Sequence, residues 1–292
     1  MNVSTQVPAL FAALFDDAAV FPPGSASLPE AVAGHRRHRR AWYAGLVGPL
    51  LVPASALREL PHLLSPGEQL PVGLVGDTGL AALPAVLEAA VTAKGPDGAA
   101  LDVRQVEVAV AKRGEDPGPG LATLLTYLGA RPSLPGYAEI PLTWGLLAAL
   151  DTVARAREAG VRVAPKFRTG GLAAELFPTP IELAAVICAC RDRQLPFKLT
   201  AGLHHAVRHT DPETGFIHHG FLNVLVATGA AAAGAEVADV AELVAATDSL
   251  PLVEALRDRL DEPRPLWVGF GTCSIAEPLS DLTHLGLLED RR

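Results

Sequence analysis

The feature that most constrains this chain is a repeated alternation. Short runs rich in Val and Leu are followed by segments with helical spacing, from near the first residues to the last. The runs near 12–16, 46–52, 70–76, 103–111, 136–142, 161–167, 195–200 and 265–271 read as strands. Most are continuously apolar rather than alternating, which belongs to parallel sheets buried on both faces. The intervening segments 78–93, 147–159 and 180–193 read as helices. In the last, Thr179 suits the N-cap and Pro180 the first helical position, and Leu183, Val186, Ile187 and Cys190 share one face. The cluster "GEDPGPG" at 114–120 reads as a turn. Eight strands with helices between them predict an α/β chain, a (β/α)8 TIM barrel of 1–292 as a single domain. The exception is a stretch of about 60 residues, 203–264, between strands seven and eight. It predicts a helical insertion, with a His-rich loop first and 221–226 open to a strand or a helix reading.

Composition supports this reading and excludes others. The 292 residues are 49% hydrophobic but only 5% aromatic, so the core is aliphatic. A net charge of −8 argues against nucleic acid or an anionic membrane as partner. The basic run "HRRHRR" at 35–40 reads as a solvated helix face. Three cysteines, Cys188, Cys190 and Cys273, give no disulfide framework. No apolar stretch has transmembrane length, and no secretory leader pattern opens the chain, so the expected compartment is cytoplasmic. The aliphatic exterior of such a barrel is compatible with a homo-oligomer and specifies no pairing surface.

Lysine usage points to chemistry. Of 24 basic residues only four are lysine, and two of these, Lys166 and Lys198, end apolar strands. Arginine is always charged, whereas a lysine amine can be neutral and nucleophilic. Side chains two apart share a strand face, so Lys166 pairs with Arg168 and Lys198 with Thr200. Two ammonium groups brought together lower one pKa, which is what Schiff-base chemistry requires. The structural alternative is a pair of lysines held in salt bridges by Glu107, Glu139 or Asp16. Pro165 beside Lys166 suggests a bulge.

Chemistry in such barrels gathers at the C-terminal strand ends. The polar residues expected there are Asp16, Asp17, Ser55, Asp77, Glu107, Glu139, Lys166, Arg168, Thr169, Lys198, Thr200, Thr272, Cys273 and Ser274. The turns "TGG" (Thr169, Gly170, Gly171) and "FGTCS" (with Gly271) suggest an anion pocket of backbone N–H groups. Five histidines, His204, His205, His209, His218 and His219, follow strand seven. His204, His205 and His209 with Asp17 would make a site for a divalent metal such as Zn, and His204 and His205 otherwise read as substrate-binding or acid–base groups. Cys273 reads as a small buried residue, because nothing in the sequence sets a base beside it.

The order of motifs resembles that of the deoxyribose-phosphate aldolases, class I aldolases on a (β/α)8 barrel. "DDAAVFPP" (16–23) stands where that family has D-H-T-x-L-x-P, and "QVEVAV" (105–110) where it has E-[IV]-D. "KFRTGG" (166–171) is similar to K-T-S-T-G-F, "KLTAGLHH" (198–205) to K-x-x-G-G-I-R-T, and "GFGTCSIAEPLSDL" (269–282) to its final Gly-Ser turn and helix. The strings DDAxxFPP, KxRTGG and TAGLHH are also similar to those of a bacterial family, a likeness that implies no activity. The aldolase resemblance implies Lys166 as Schiff-base nucleophile and Lys198 as the group that lowers its pKa. It implies Glu107, in place of an aspartate, for proton transfer with support from Asp16 or Asp17, and Gly170, Gly171, Gly202 and the 271–274 turn around an anionic group. Glu at 107, Arg168 within the lysine motif and the long insertion imply a substrate other than deoxyribose phosphate.

The expectation is therefore a lyase acting on a small, anionic carbonyl compound through a lysine Schiff base, without a cofactor. The alternatives are a metal-dependent barrel hydrolase or lyase using the His/Asp set, and a non-catalytic ligand-binding barrel.

Overall fold

A computed structural model describes residues 7–289. In chain order its elements are β1 (Phe15–Asp17), α1 (Leu28–Arg40), β2 (Val47–Pro53), β3 (Gln69–Val75), α2 (Leu83–Thr92), β4 (Ala100–Ala109), α3 (Pro117–Gly129), β5 (Gly136–Glu139), α4 (Leu146–Glu158), β6 (Val163–Arg168), α5 (Pro180–Asp192), β7 (Phe197–Thr200), the short strands β8 (His209–Thr210) and β9 (Ile217–His218), α6 (Phe221–Ala232), α7 (Val237–Ala245), α8 (Ser249–Arg257), β10 (Trp267–Thr272) and α9 (Ala276–His284). Eight strands close into a barrel in the order β1-β10-β7-β6-β5-β4-β3-β2. The chain is an α/β (β/α)8 barrel, as the alternation of runs predicts.

Two compact units make up the chain. The first holds the residues up to Asp17, Arg36–Gly48 and the chain from Arg168 onward. Its core is aromatic despite the low overall content. Phe15 meets Phe270 edge-on at 5.3 Å and Phe221 at 5.7 Å, and Trp267 stacks on Phe270 at 5.6 Å. The insertion therefore joins this core through Phe221. That is why 221–226 is helical: Phe221, Leu222, Val224 and Leu225 are all buried, a wide apolar face that a helix can bury. Beneath this core Arg264 donates to the carbonyls of Leu10, Trp267 and Val268 at 2.5, 2.8 and 2.7 Å, tying the chain before β1 to β10. Burial pulls its pKa down to about 10.

The second unit comprises Ala18–His35 and Pro49–Phe167. Successive residues Val106, Glu107 and Val108 of β4 are all buried, so both faces of that strand are covered. Helix α5, in the first unit, begins with the capping box Thr179–Glu182 that its sequence encodes.

Three expectations are corrected. Residues 117–120 are not turn but the first turn of α3, because Asp116 accepts from the Gly118 N–H at 2.9 Å as N-cap and Pro117 occupies the first helical position. Pro165 sits in an unbroken register with β5, Ala138 opposite Pro165 and Glu139 opposite Lys166, so there is no bulge on that side of the strand. Strand β5 stops at Glu139 rather than 142, since Pro141 has no N–H to extend the ladder.

Candidate active site

Two buried lysines are placed by strand ends, one in each unit. In the second unit Lys166 is 3% exposed. Register sets Glu139 directly opposite it, and Glu107 lies one strand further. The Lys166 Nζ is 2.8 Å from Glu107 Oε2 and 2.9 Å from Glu139 Oε2. Glu107 Oε1 accepts from the Gln105 amide at 2.8 Å. Burial acts to lower the Lys166 pKa, but the charges of Glu107 and Glu139 outweigh it and hold the amine above its ordinary value. In the free protein Lys166 is an ammonium.

In the first unit Lys198 is 1% exposed and ion-paired with Asp16, itself buried in β1. Asp16 packs over Gly48, where an added Cβ would collide with its carboxylate oxygen. Asp17 is buried too and opposes Thr272 of β10 in register, while Gly271 opposes both Asp16 and Thr200. Both lysines thus stand in ion pairs with the carboxylates that the sequence named in its structural alternative.

The glycines of the lysine motifs have a packing reason. The Thr169 N–H donates to the Thr200 carbonyl at 2.9 Å, and its hydroxyl to the Ala201 carbonyl at 2.5 Å. The turns 169–170 and 200–202 then touch. A Cβ on Gly170 would meet Gly202 Cα at 2.7 Å, and one on Gly202, where φ is +74°, would meet the Thr169 oxygen at 2.8 Å. Gly171 lies against Leu176. Arg168 is exposed at the end of β6, unlike Lys166.

The histidines spread over the 203–220 loop. His204 Nδ1 is 2.9 Å from Glu277 Oε2 in α9, and His205 Nδ1 is 3.2 Å from Asp281 Oδ2. His209 stacks on His218 at 5.4 Å, and His218 Nδ1 donates to the Gly202 carbonyl at 3.1 Å. His219 is fully buried, with Nε2 donating to the Pro178 carbonyl at 2.7 Å. Burial opposes charge on His204, yet hydrogen bonds to Cys273 and Glu277 raise its pKa to about 9. Burial lowers His219 to about 4. His204, His205, His209 and Asp17 do not gather into a metal-binding set: among the described residues no three His, Cys, Asp or Glu side chains are placed to hold an ion together. Ser55 and Asp77 pair with each other, the hydroxyl donating at 2.5 Å.

Sequence reasoning did not find Gln105 or Glu277, and it left Cys273 without a partner. Gln105 shares a strand face with Glu107 two residues on, a period-two signal that the apolar run conceals. Glu277 and Cys273 meet His204 only through the fold.

No protein-family model matches the chain, and no curated protein matches it. Fold and side chains together define a (β/α)8-barrel protein with two buried lysine–carboxylate clusters at its strand ends. Among the described residues no helix is long and apolar enough to cross a membrane.

Proposed function

We propose that this chain is an aldolase-like lyase that acts on a small carbonyl compound through a Schiff base on Lys166. The observation that carries this reading is the Lys166 amine, 3% exposed, with two carboxylates at 2.8 and 2.9 Å. Apolar packing at such a position is often at least as stabilising as a buried ion pair, so a cluster of this kind suggests a use beyond stability. Strand ends of (β/α)8 barrels are where such uses concentrate.

The carboxylates make the amine usable. Lys166 passes one proton to Glu107 or Glu139, both at hydrogen-bond distance. The neutral amine adds to the carbonyl carbon, and the carbonyl oxygen leaves as water after taking up two protons. The resulting iminium accepts the electron pair of the breaking carbon–carbon bond. A carboxylate of the pair takes the proton from the departing fragment and returns it to the enamine carbon, and water then hydrolyses the restored iminium to release the second product. The resemblance to the deoxyribose-phosphate aldolases gives Lys198, ion-paired with Asp16 within its own unit, the place of that family's second lysine. Because Lys166 rests as an ammonium, turnover is expected to rise with pH.

Borohydride reduction in the presence of a panel of small aldehydes and ketones tests the reading without knowledge of the substrate. The expected result is a stable mass increase on the peptide carrying Lys166, absent in Lys166→Arg, since guanidinium forms no imine under these conditions. No adduct with any carbonyl, or an adduct on another lysine, overturns it. A ligand-binding barrel without chemistry would instead tolerate Lys166→Arg with ligand affinity nearly unchanged.

A further inference from the structure

The three cysteines have different surroundings. Cys188 and Cys190 are buried in α5 at 2% and 0% exposure, and burial pushes both thiols up in pKa. Such cysteines are inert packing groups. Cys273 differs. It follows directly on β10 and is half-buried. Its Sγ lies 3.8 Å from His204 Nδ1. The same nitrogen is 2.9 Å from Glu277 Oε2 in the first turn of α9. All three residues belong to the first unit, so one compact body fixes them.

A thiol and a carboxylate thus meet one imidazole nitrogen: Nδ1–H donates to Glu277, which fixes the ring, and the sulfur lies beside the same nitrogen. The cluster is linked electrostatically as well. His204 is raised to about 9 by Cys273 and Glu277, and Glu277 is lowered, chiefly by its hydrogen bond to His204. At neutral pH the sulfur therefore has an imidazolium as neighbour. The His204 side chain is 17% exposed, so the group is neither sealed in the core nor freely solvated.

We propose that Cys273, His204 and Glu277 form a second nucleophilic site, separate in chemistry from Lys166, that captures small aldehydes as reversible hemithioacetals. The ligand class follows from what the cluster holds. It has a nucleophile and a proton donor, and an aldehyde needs only these. The sulfur lone pair forms the S–C bond as the carbonyl π bond breaks. His204, already an imidazolium, gives a proton to the former carbonyl oxygen, and the proton of the broken S–H bond returns to the ring through solvent, so the proton count is unchanged. Nothing is oxidised or reduced, and no group leaves. Glu277 acts through His204 as a positioning residue.

Labelling with iodoacetamide at neutral pH is the test, because it reads the thiol directly: an S–C bond forms while iodide and the thiol proton leave. The folded protein should take up one label, at Cys273, with Cys188 and Cys190 unlabelled until the chain is unfolded. The folded rate at Cys273 should exceed the rate of the same cysteine in the urea-unfolded chain several-fold, a comparison that needs no variant. His204→Asn should bring the rate down to the unfolded value, and Glu277→Gln should shift its pH profile. Glycolaldehyde should slow labelling in the wild type and in Lys166→Arg alike. Equal folded and unfolded rates, or a wild-type rate in His204→Asn, would overturn the nucleophilic site. Protection by glycolaldehyde that disappears in Lys166→Arg would overturn aldehyde capture at Cys273.

Discussion

Acid should weaken this protein through one buried histidine. His219 is fully buried, its Nε2–H bonded to the Pro178 carbonyl at 2.7 Å and its Nδ1 facing Arg208 Nη1 at 3.4 Å. Nδ1 accepts from the guanidinium, so a second ring proton would have to sit against a cation. Burial is the larger cause of the depressed pKa, with Arg208 and His218 adding to it. The folded value of about 4 lies below the unfolded 6.5. The contribution is intact above about pH 6.5, is lost as pH falls toward 4, and amounts to about 3 kcal/mol. His204 behaves oppositely. Its folded pKa of about 9 lies above the unfolded value, so its contribution is full below about pH 6.5 and is lost as pH rises to 9.

The perturbation is His219→Gln. The amide keeps a donor for the Pro178 carbonyl but takes up no proton. At pH 7.5 the variant should be less stable by about 1 kcal/mol, the worth of one imperfectly replaced hydrogen bond. Between pH 6.5 and 4 its unfolding free energy should fall less steeply than that of the wild type, by one proton's worth of slope. Urea unfolding curves at half-unit pH intervals measure both. His218, also lowered in pKa by burial, is present in both proteins and drops out of the comparison. An acid limb of unchanged slope in His219→Gln would refute the assignment of that proton to His219.

Two other consequences concern the site. Asp16→Asn should cost about 3–5 kcal/mol, because it removes the carboxylate paired with the buried Lys198 ammonium; Asp16→Asn with Lys198→Met should recover most of this in thermal melts, and a double variant no better than the single would contradict it. Gly202→Ala should cost about 2–4 kcal/mol, since a positive φ and the Thr169 oxygen at 2.8 Å both oppose a Cβ. Gly215→Ala, at a φ of +72° with open space around it, should cost only about 1 kcal/mol, and equal losses at the two positions would argue against the close approach of the turns.

The barrel was legible in the sequence because its determinants are local. Continuous Val- and Leu-rich runs require covered strands, and the caps at Thr179 and Pro180 state where a helix starts. Strand ends are therefore readable, and with them the placement of Lys166, Lys198, Glu107 and Asp16. Local signals also misled: "GEDPGPG" has turn composition, yet Asp116 and Pro117 are equally a helix start, and only the packing of Leu121, Leu124 and Leu128 selects the helix. The 221–226 segment was undecided for the same reason, since an apolar run of that length fits either period.

What a given charge faces is a different matter. The sequence alone determined that two lysines end buried strands and that carboxylates end others. Which carboxylates each lysine meets was decided by register across the sheet, which sets Glu139 opposite Lys166 and brings Lys198 to Asp16, 182 residues away in the chain. The tertiary structure also decided what lies beside Cys273, for His204 reaches it from the loop after β7 and is itself bonded to Glu277 of α9. The physical reason is range. Hydrophobic period and capping act over a few residues along the chain, whereas ion pairs and hydrogen bonds act over a few ångströms in space, and only the closed fold converts the one distance into the other.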